Sequence, residues 1–230
     1  MSNPLQALLS LVAAGCMMVS SSIEQVTPQN NPDDLLLVNR QWGISGHYQP
    51  ELIVTPVPGQ VRQLRTEAAA ALVEMFQACK QETGAQLVSV SGFRDYAKQK
   101  RIYDDKLKRV RGSVEKADEY VARPGTSEHQ TGLTMDVGQR GKQKDTLEPS
   151  FGKSIGGVWL RENCWRFGFI LRYEEGWEEI TGYSYEPWHV RYVGLDHAAA
   201  IHEAHIPLEF YLQEVRLRRF LEILTPNLNQ

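Results

Sequence analysis

The stretch GTSEHQTGLTMDVG at residues 125–138 places a histidine and an aspartate seven residues apart, with a glycine between them. Gly132 can adopt backbone angles that other residues avoid, so it lets the chain turn between His129 and Asp136. The pattern predicts a loop up to Gly132 and a short strand at 133–137, from which both side chains could face one point. Imidazole and carboxylate are both common ligands of Zn²⁺, which makes this stretch a candidate metal site.

A second segment, YEPWH at residues 185–189, could complete that site. His189 would be a third protein ligand, and three ligands with an open position for water are the catalytic zinc pattern. With Zn²⁺ bound, two neutral imidazoles and one carboxylate leave the site with a formal charge of +1, which favours hydroxide over water at the open position. Glu186 is the candidate general base. Because Pro187 favours an extended backbone at Glu186, we predict a turn entering a strand, unlike the helical HExxH arrangement.

Spacing alone leaves two interpretations open. A single histidine beside a glycine is more often a loop residue than a ligand, and an aspartate in such a stretch could instead cap or stabilise a turn. Two ligand-bearing segments and a candidate base support a metal site about as well as these structural roles.

The flanking sequence predicts an α+β fold. Apolar residues recur every three or four positions from Arg62 to Lys80, as in an amphipathic helix, and Gly84 ends it. Asp95 is placed to cap a helix from Tyr96 to about residue 110. Further strands are predicted at 35–38, 52–55, 87–91, 169–173 and 188–193, and further helices at 113–122, 157–167, 195–205 and 207–224. We therefore predict a small antiparallel sheet flanked by helices, with the zinc site on the sheet.

Composition predicts a single globular domain. The chain has 230 residues, of which 42% are hydrophobic and 23% charged. A formal net charge of -3 gives no electrostatic case for nucleic-acid binding, which favours a clustered basic face. We predict a monomer with an apolar signal-like segment at 1–19, a polar linker at 20–34 and the domain at 35–226.

The segment PLQALLSLVAAGC at residues 4–16 is similar to the apolar core of a secretory signal followed by a bacterial lipoprotein cleavage site. Cys16 would then be the lipid acceptor, and the protein would work in the cell envelope. The first ten residues carry no Lys or Arg, although a signal normally begins with a positive region. A frayed apolar N-terminus or a start site chosen too late are the alternatives.

Cys79 and Cys164 are predicted to be small core residues, since each lies among apolar neighbours. A disulfide between them remains an alternative.

Four segments, in order along the chain, resemble the successive motifs of VanY-type D-alanyl-D-alanine carboxypeptidases, which are related to VanX-type dipeptidases and other LAS-type peptidoglycan peptidases. The segments are SGFRDYAKQKRIYD (91–104), GTSEHQTGLTMDVG (125–138), WLRENCWRFGFILRY (159–173) and ITGYSYEPWHVRYVG (180–194). The resemblance extends over about residues 35–215. It implies one zinc ion held by His129, Asp136 and His189, with Glu186 as the catalytic base.

The resemblance also implies roles for residues that spacing does not single out. Arg94 matches the arginine of the S-G-[YF]-R motif and would bind a carboxylate or stabilise an oxyanion. Gln99 and Ser127 match substrate-contacting residues, with helix-surface or loop positions as the alternative. Tyr183 and Trp188 would shape the pocket, with core packing as the alternative.

The predicted function is removal of the terminal D-Ala from peptidoglycan stem peptides by Glu186-assisted attack of zinc-bound water. An L,D-carboxypeptidase that acts on tetrapeptide stems is the main alternative, because the motifs are shared. A wall-binding module without catalysis would have lost a ligand or the base, and neither is missing. Phage-type endopeptidases often carry a separate wall-binding domain, for which 230 residues leave no room.

Overall fold

The computed structural model describes residues 32–141 and 147–224. The predicted signal-like segment, Cys16 and most of the predicted linker lie outside the described residues, so the division of the chain at 1–19, 20–34 and 35–226 stays a prediction. Within the described part, no helix is long and apolar enough to cross a membrane.

The described residues form seven α-helices and six strands. The helices are α1 (Thr66–Thr83), α2 (Tyr96–Arg109), α3 (Val114–Asp118), α4 (Ile155–Asn163), α5 (Glu178–Thr181), α6 (Leu195–Ala204) and α7 (Leu208–Leu224). The strands are β1 (Ile53–Val54), β2 (Gln63–Leu64), β3 (Leu87–Ser91), β4 (Thr134–Gln139), β5 (Phe169–Leu171) and β6 (His189–Tyr192). Short 3₁₀ helices lie at Pro32–Leu35, Glu128–Thr131, Pro149–Lys153 and Cys164–Phe167.

Four strands form one antiparallel sheet in the order β3-β4-β6-β5, and β1 pairs with β2 in a separate short ribbon. The pairing of β4 with β6 puts Asp136 directly opposite His189. Residues that are directly opposite in an antiparallel pair point to the same face with Cβ atoms about 4.5–5.5 Å apart. The sheet register therefore brings two candidate ligands together from positions that are distant in sequence.

Two apolar clusters hold the elements in place. The larger cluster lies between the sheet and helices α1 and α4, and it includes Leu72, Met75, Leu133 and Leu160. The smaller one lies between β5, α6 and α7. Helix α1 ends where Gly84 takes a left-handed conformation, and the Asp95 side chain accepts a hydrogen bond from the Lys98 N–H to cap α2. The predicted α+β class with a small antiparallel sheet flanked by helices is confirmed.

Several predicted elements were wrong in detail; for example, the helix predicted at 113–122 spans only Val114–Asp118. The first helix begins at Thr66, not at Arg62, because Gln63 and Leu64 pair with β1. Leu64 is buried in a strand just as it would be in a helix, so the apolar pattern does not distinguish the two. Residues 35–38 form no strand; Leu35 ends a 3₁₀ helix, and 36–38 continue in an irregular path.

Cys79 and Cys164 are both buried in the larger cluster, and both are free thiols. Burial raises the pKa of the Cys164 thiol to about 12, which keeps it protonated and unreactive. The two residues are core residues, and the alternative of a disulfide between them was wrong.

Candidate metal centre

His129, Asp136 and His189 form a buried cluster with one ligand atom from each within 4.8 Å of the others. His129 Nε2 lies 3.2 Å from Asp136 Oδ2, and His189 Nδ1 lies 3.2 Å from Asp136 Oδ1. The cluster has the donor set of a three-ligand zinc site. In the described part of the chain, these are the His, Cys, Asp and Glu side chains that lie close enough together, in a group of three, to hold a metal ion.

Two glycines bring His129 to the sheet. Gly132 ends the 3₁₀ turn with a φ of 72°, in the left-handed region that favours glycine. Gly92 follows β3 at a close approach of backbones, where an added Cβ would lie 2.7 Å from the Gln63 carbonyl oxygen. The carbonyl oxygen of Gly92 lies 2.8 Å from His129 Nδ1. That contact fixes the ring, so His129 presents Nε2 to the cluster.

His189 is held from the opposite side. Its Nε2 lies 3.3 Å from Oε2 of Glu128, while its Nδ1 faces Asp136. Ligating histidines in metal sites usually donate the other ring N–H to a carboxylate or carbonyl oxygen. Both histidines of this cluster have such a partner, in Gly92 and in Glu128.

Charges in the cluster favour a bound cation. Burial opposes ionisation of Asp136, yet the two histidines hold its pKa well below the usual range, so it stays a carboxylate. Asp136 Oδ1 is buried and, although His189 Nδ1 lies 3.2 Å away, it accepts no well-aligned hydrogen bond from the described residues. Burial also lowers the pKa of His189, but Asp136 and Glu128 outweigh it and raise that pKa to about 9. The carboxylates that favour a proton here would favour a metal ion as well, so the residues fit Zn²⁺.

Glu186 lies beside the cluster in a turn. The His189 N–H donates to the Glu186 carbonyl oxygen, and Pro187 occupies the second position of this four-residue turn. The predicted turn entering a strand is confirmed. Glu186 Oε2 lies 3.5 Å from His189 Nδ1. Burial raises the pKa of Glu186 to about 7, which suits a group that accepts and then returns a proton near neutral pH.

Arg94 lines the same cavity as Glu186 and Asp136, whose charges act on it. Its backbone N–H donates to the His129 carbonyl oxygen, which ties the segment after β3 to the loop that carries the ligand. Arg94 Nε is buried and has no hydrogen-bond partner among the described residues. The guanidinium can therefore still bind an anionic group.

Gln99 and Ser127 both line the cavity and are buried. Gln99 comes from α2; its amide NH₂ donates to the Ala122 carbonyl oxygen at 2.7 Å, and its Oε1 has no partner in the described part of the chain. Gln99 does not lie on an exposed helix surface, and its acceptor is free to contact a ligand. Ser127 directly precedes the 3₁₀ turn that carries His129.

Tyr183 and Trp188 also line the cavity. The ring of Tyr183 lies 4.7 Å from that of Tyr173, which in turn lies 4.7 Å from the ring of His189. Trp188 is partly buried and packs against the larger core cluster as well. Trp188 therefore lines the cavity and also packs against the core.

The cavity has a volume of about 500 Å³ and is lined by all nine candidate site residues predicted from the sequence. They are Arg94, Gln99, Ser127, His129, Asp136, Tyr183, Glu186, Trp188 and His189. Such a volume suits a short peptide end. The structure thus brings the predicted site together, while the chemical role of each residue stays a prediction.

Sequence reasoning missed a buried ionic network below the cluster. Glu128, Arg172 and Arg191 are almost completely buried; both arginines pair with Glu128, and Arg172 also pairs with Glu209. A signal was present, because both arginines lie between apolar residues of predicted strands. A buried guanidinium needs a carboxylate partner. The sequence does not say which carboxylate that is.

Comparison with known proteins places this site in context. A family model described as VanY, D-alanyl-D-alanine carboxypeptidase, matches residues 61–195. The Bacillus subtilis protein YodJ, named as a carboxypeptidase, is 43% identical over 197 residues, which are 83% of this chain and 71% of YodJ.

Two solved structures are similar in both sequence and fold. The LdcB LD-carboxypeptidase, whose structure concerns peptidoglycan recognition, is 43% identical with a TM-score of 0.74; the match covers 80% of this chain and 88% of LdcB. A vancomycin resistance D,D-pentapeptidase VanY, solved with Zn(II), is 36% identical with a TM-score of 0.65; the match covers 78% of this chain and 99% of that one.

Proposed function

Because the chain belongs to the VanY family of D-alanyl-D-alanine carboxypeptidases, we propose that it removes the C-terminal D-Ala from peptidoglycan stem peptides with one zinc ion. One observation carries the proposal. A buried His129–Asp136–His189 cluster, the carboxyl group of Glu186 and Arg94, whose Nε has no hydrogen-bond partner in the described part of the chain, all line one cavity. A carboxypeptidase needs this combination, because it must activate water and recognise a free carboxylate in one place.

His129, Asp136 and His189 would hold the metal. When bound, Zn²⁺ lowers the pKa of a water molecule and polarises a carbonyl oxygen. Glu186 is the proton carrier: it takes a proton from the attacking water and returns it to the leaving amine of D-Ala. Burial raises the pKa of Glu186 to about 7, although His189 opposes the shift, and this makes both transfers accessible near neutral pH.

Arg94 would bind the C-terminal carboxylate of the substrate. We expect Arg94→Ala to lower kcat/KM for a free-carboxylate stem about 10- to 100-fold, because hydrogen bonds to a charged group contribute about 1.5–3 kcal/mol. The measurement is kcat/KM of wild type and variant on a stem with a free C-terminal carboxylate and on the same stem amidated at that end.

The comparison of the two substrates separates the possible roles of Arg94. If Arg94 binds the carboxylate, the variant and the wild type should cleave the amidated stem at similar, low rates. An equal loss on both substrates would assign Arg94 to the oxyanion instead. Arg101→Ala, at an exposed position of α2, is the matched control and should change neither rate.

The remaining cavity residues would fit the stem peptide. Gln99 offers a free amide oxygen to a backbone N–H, and Ser127 offers a hydroxyl beside the ligand loop. Tyr183 and Trp188 form apolar walls against which D-Ala methyl groups can pack.

Two bonds would satisfy this geometry. The family description supports cleavage between two D-Ala residues, as in a pentapeptide stem. The similarity to LdcB supports a second candidate, cleavage between an L-residue and D-Ala in a tetrapeptide stem. In both, the leaving group is D-Ala with a free carboxylate, so the same catalytic residues serve.

Incubation with pentapeptide and tetrapeptide stems, followed by mass spectrometry, tests the proposed activity. We expect free D-Ala and a stem that is one residue shorter. Accumulation of tetrapeptide from pentapeptide indicates D,D cleavage, and tripeptide from tetrapeptide indicates L,D cleavage. Release of the dipeptide D-Ala-D-Ala, or no release from either stem, would contradict the proposal.

The substrate also bears on location and partners. Peptidoglycan lies outside the cytoplasmic membrane, so we propose that the enzyme works in the cell envelope as a monomer. Anchoring through Cys16 would hold it close to newly made stems, and it rests on the sequence of residues 4–16 alone.

A further inference from the structure

Glu128 divides its two carboxylate oxygens between two sets of donors. Oε1 accepts from Arg172 Nε and from Arg191 Nη1, each at 2.8 Å. Oε2 faces His189 Nε2 at 3.3 Å and also accepts a longer hydrogen bond, at 3.5 Å, from the Thr134 hydroxyl. Since the arginines occupy Oε1, Oε2 is the oxygen that is left to accept from the histidine ring.

The arginines are themselves held in place. Arg172 makes two hydrogen bonds to the carboxylate of Glu209 on α7. Arg191 Nη2 donates to the backbone carbonyl oxygens of Asp34 and Leu36. Each guanidinium is thus fixed by a different part of the chain, and the orientation of Glu128 follows from both.

A metal ion on His189 requires the neutral imidazole, and the charges of this network then balance. Glu128 and Glu209 are matched by Arg172 and Arg191, and all four side chains lie in the protein interior. Guanidinium groups have no acceptor, so Glu128 stays an acceptor and cannot donate to the ring. A neutral His189 can then make this contact in one way only, by carrying its proton on Nε2.

We propose that Glu128 is a positioning residue for the metal: it holds His189 in the Nε2–H tautomer and so leaves Nδ1 unprotonated for the zinc ion. This inference rests on the proposed zinc site and adds to it. His129 has the complementary arrangement, because its Nδ1 contacts the Gly92 carbonyl oxygen and its Nε2 faces the cluster. A buried carboxylate therefore sets the tautomer of His189, and a backbone carbonyl oxygen sets that of His129.

Glu128→Gln tests the proposal with almost no change in side-chain volume. The arginines, as obligate donors, will orient the amide oxygen toward themselves and leave the NH₂ group facing His189 Nε2. Two donors cannot pair, so His189 is expected to shift its proton to Nδ1 and oppose metal binding there. We expect zinc to bind about 10- to 100-fold more weakly, as measured by competition with a chromophoric chelator.

Glu209→Gln is the matched control. Glu209 belongs to the same network because it accepts from Arg172, so this variant removes the same negative charge. The hydrogen bonds of Glu209 do not involve His189. We expect its zinc affinity to stay within about threefold of wild type. If zinc affinity fell equally in both variants, the net charge of the network, and not the tautomer of His189, would control it, and the proposal would be wrong. Unchanged zinc affinity in Glu128→Gln would also overturn the proposal.

Histidine-selective ¹⁵N NMR of the zinc-loaded wild-type chain gives an answer even if Glu128→Gln fails to fold. We expect His189 to carry its proton on Nε2 and to bind the metal through Nδ1. The opposite assignment would overturn the role of Glu128. A wild-type chain that binds no zinc at all would contradict the proposed function, whereas normal zinc binding with the wrong tautomer would contradict this inference alone.

Discussion

Alanine in place of Glu186 is expected to lower kcat for D-Ala release by at least about 10²-fold while zinc stays bound. The loss is large because a buried carboxylate beside His189 is the group able to move a proton between water and the leaving amine. Zinc should remain because the three proposed ligands are untouched. Steady-state kinetics on the stem peptide, together with zinc analysis of the same preparation, measures both quantities.

Glu175→Ala is the control for the Glu186 experiment. It removes an equal charge from an exposed glutamate that does not line the cavity, so the rate should be unchanged. Full activity in Glu186→Ala would remove the assignment of this residue as the base. Loss of zinc together with activity would instead make Glu186 part of the metal site.

Removing either histidine of the cluster is expected to abolish both zinc binding and turnover. A residue that only supports a ligand contributes about 10- to 100-fold to metal affinity, so loss of a ligand itself should exceed 10²-fold. His129→Ala and His189→Ala should therefore be isolated with far less than stoichiometric zinc. The rise in melting temperature that zinc produces in wild type should also be lost, since a metal stabilises only the state that binds it.

His202→Ala is the matched control for these two variants. His202 is exposed on α6 and stacks on Trp165 at a ring separation of 4.8 Å, away from the cavity. It should retain zinc and activity. Stoichiometric zinc in both His129→Ala and His189→Ala would contradict the metal centre proposed for this cluster.

The candidate ligands could be singled out partly because two of them lie within one short stretch and the third lies in a strand. His129 and Asp136 are separated by one glycine turn, and His189 lies in a strand that its neighbours already indicated. Spacing alone still left loop and turn roles open, and the ordered flanking motifs favoured the metal. Likewise, the cap at Asp95 and the helix end at Gly84 are local signals, and the structure has both.

The role of Glu128 could not be predicted because it depends on distant contacts. Its two arginine partners are 44 and 63 residues away along the chain, and their carboxylate could have come from any acidic residue. The start of α1 was missed for a related reason, since a strand pairing between β1 and β2 overrides an apolar pattern that a helix would share.

The direct pairing of Asp136 with His189 offers a way to check whether the purified protein has folded correctly. If β6 aligned one residue out of place on β4, every side chain of β6 would move to the opposite face, and the histidine would leave the cluster. Such a misaligned molecule could keep much of its helix content and solubility and yet take up no zinc. Metal content per molecule would therefore serve as a quality check on folding, one that reports whether two particular strands found each other correctly.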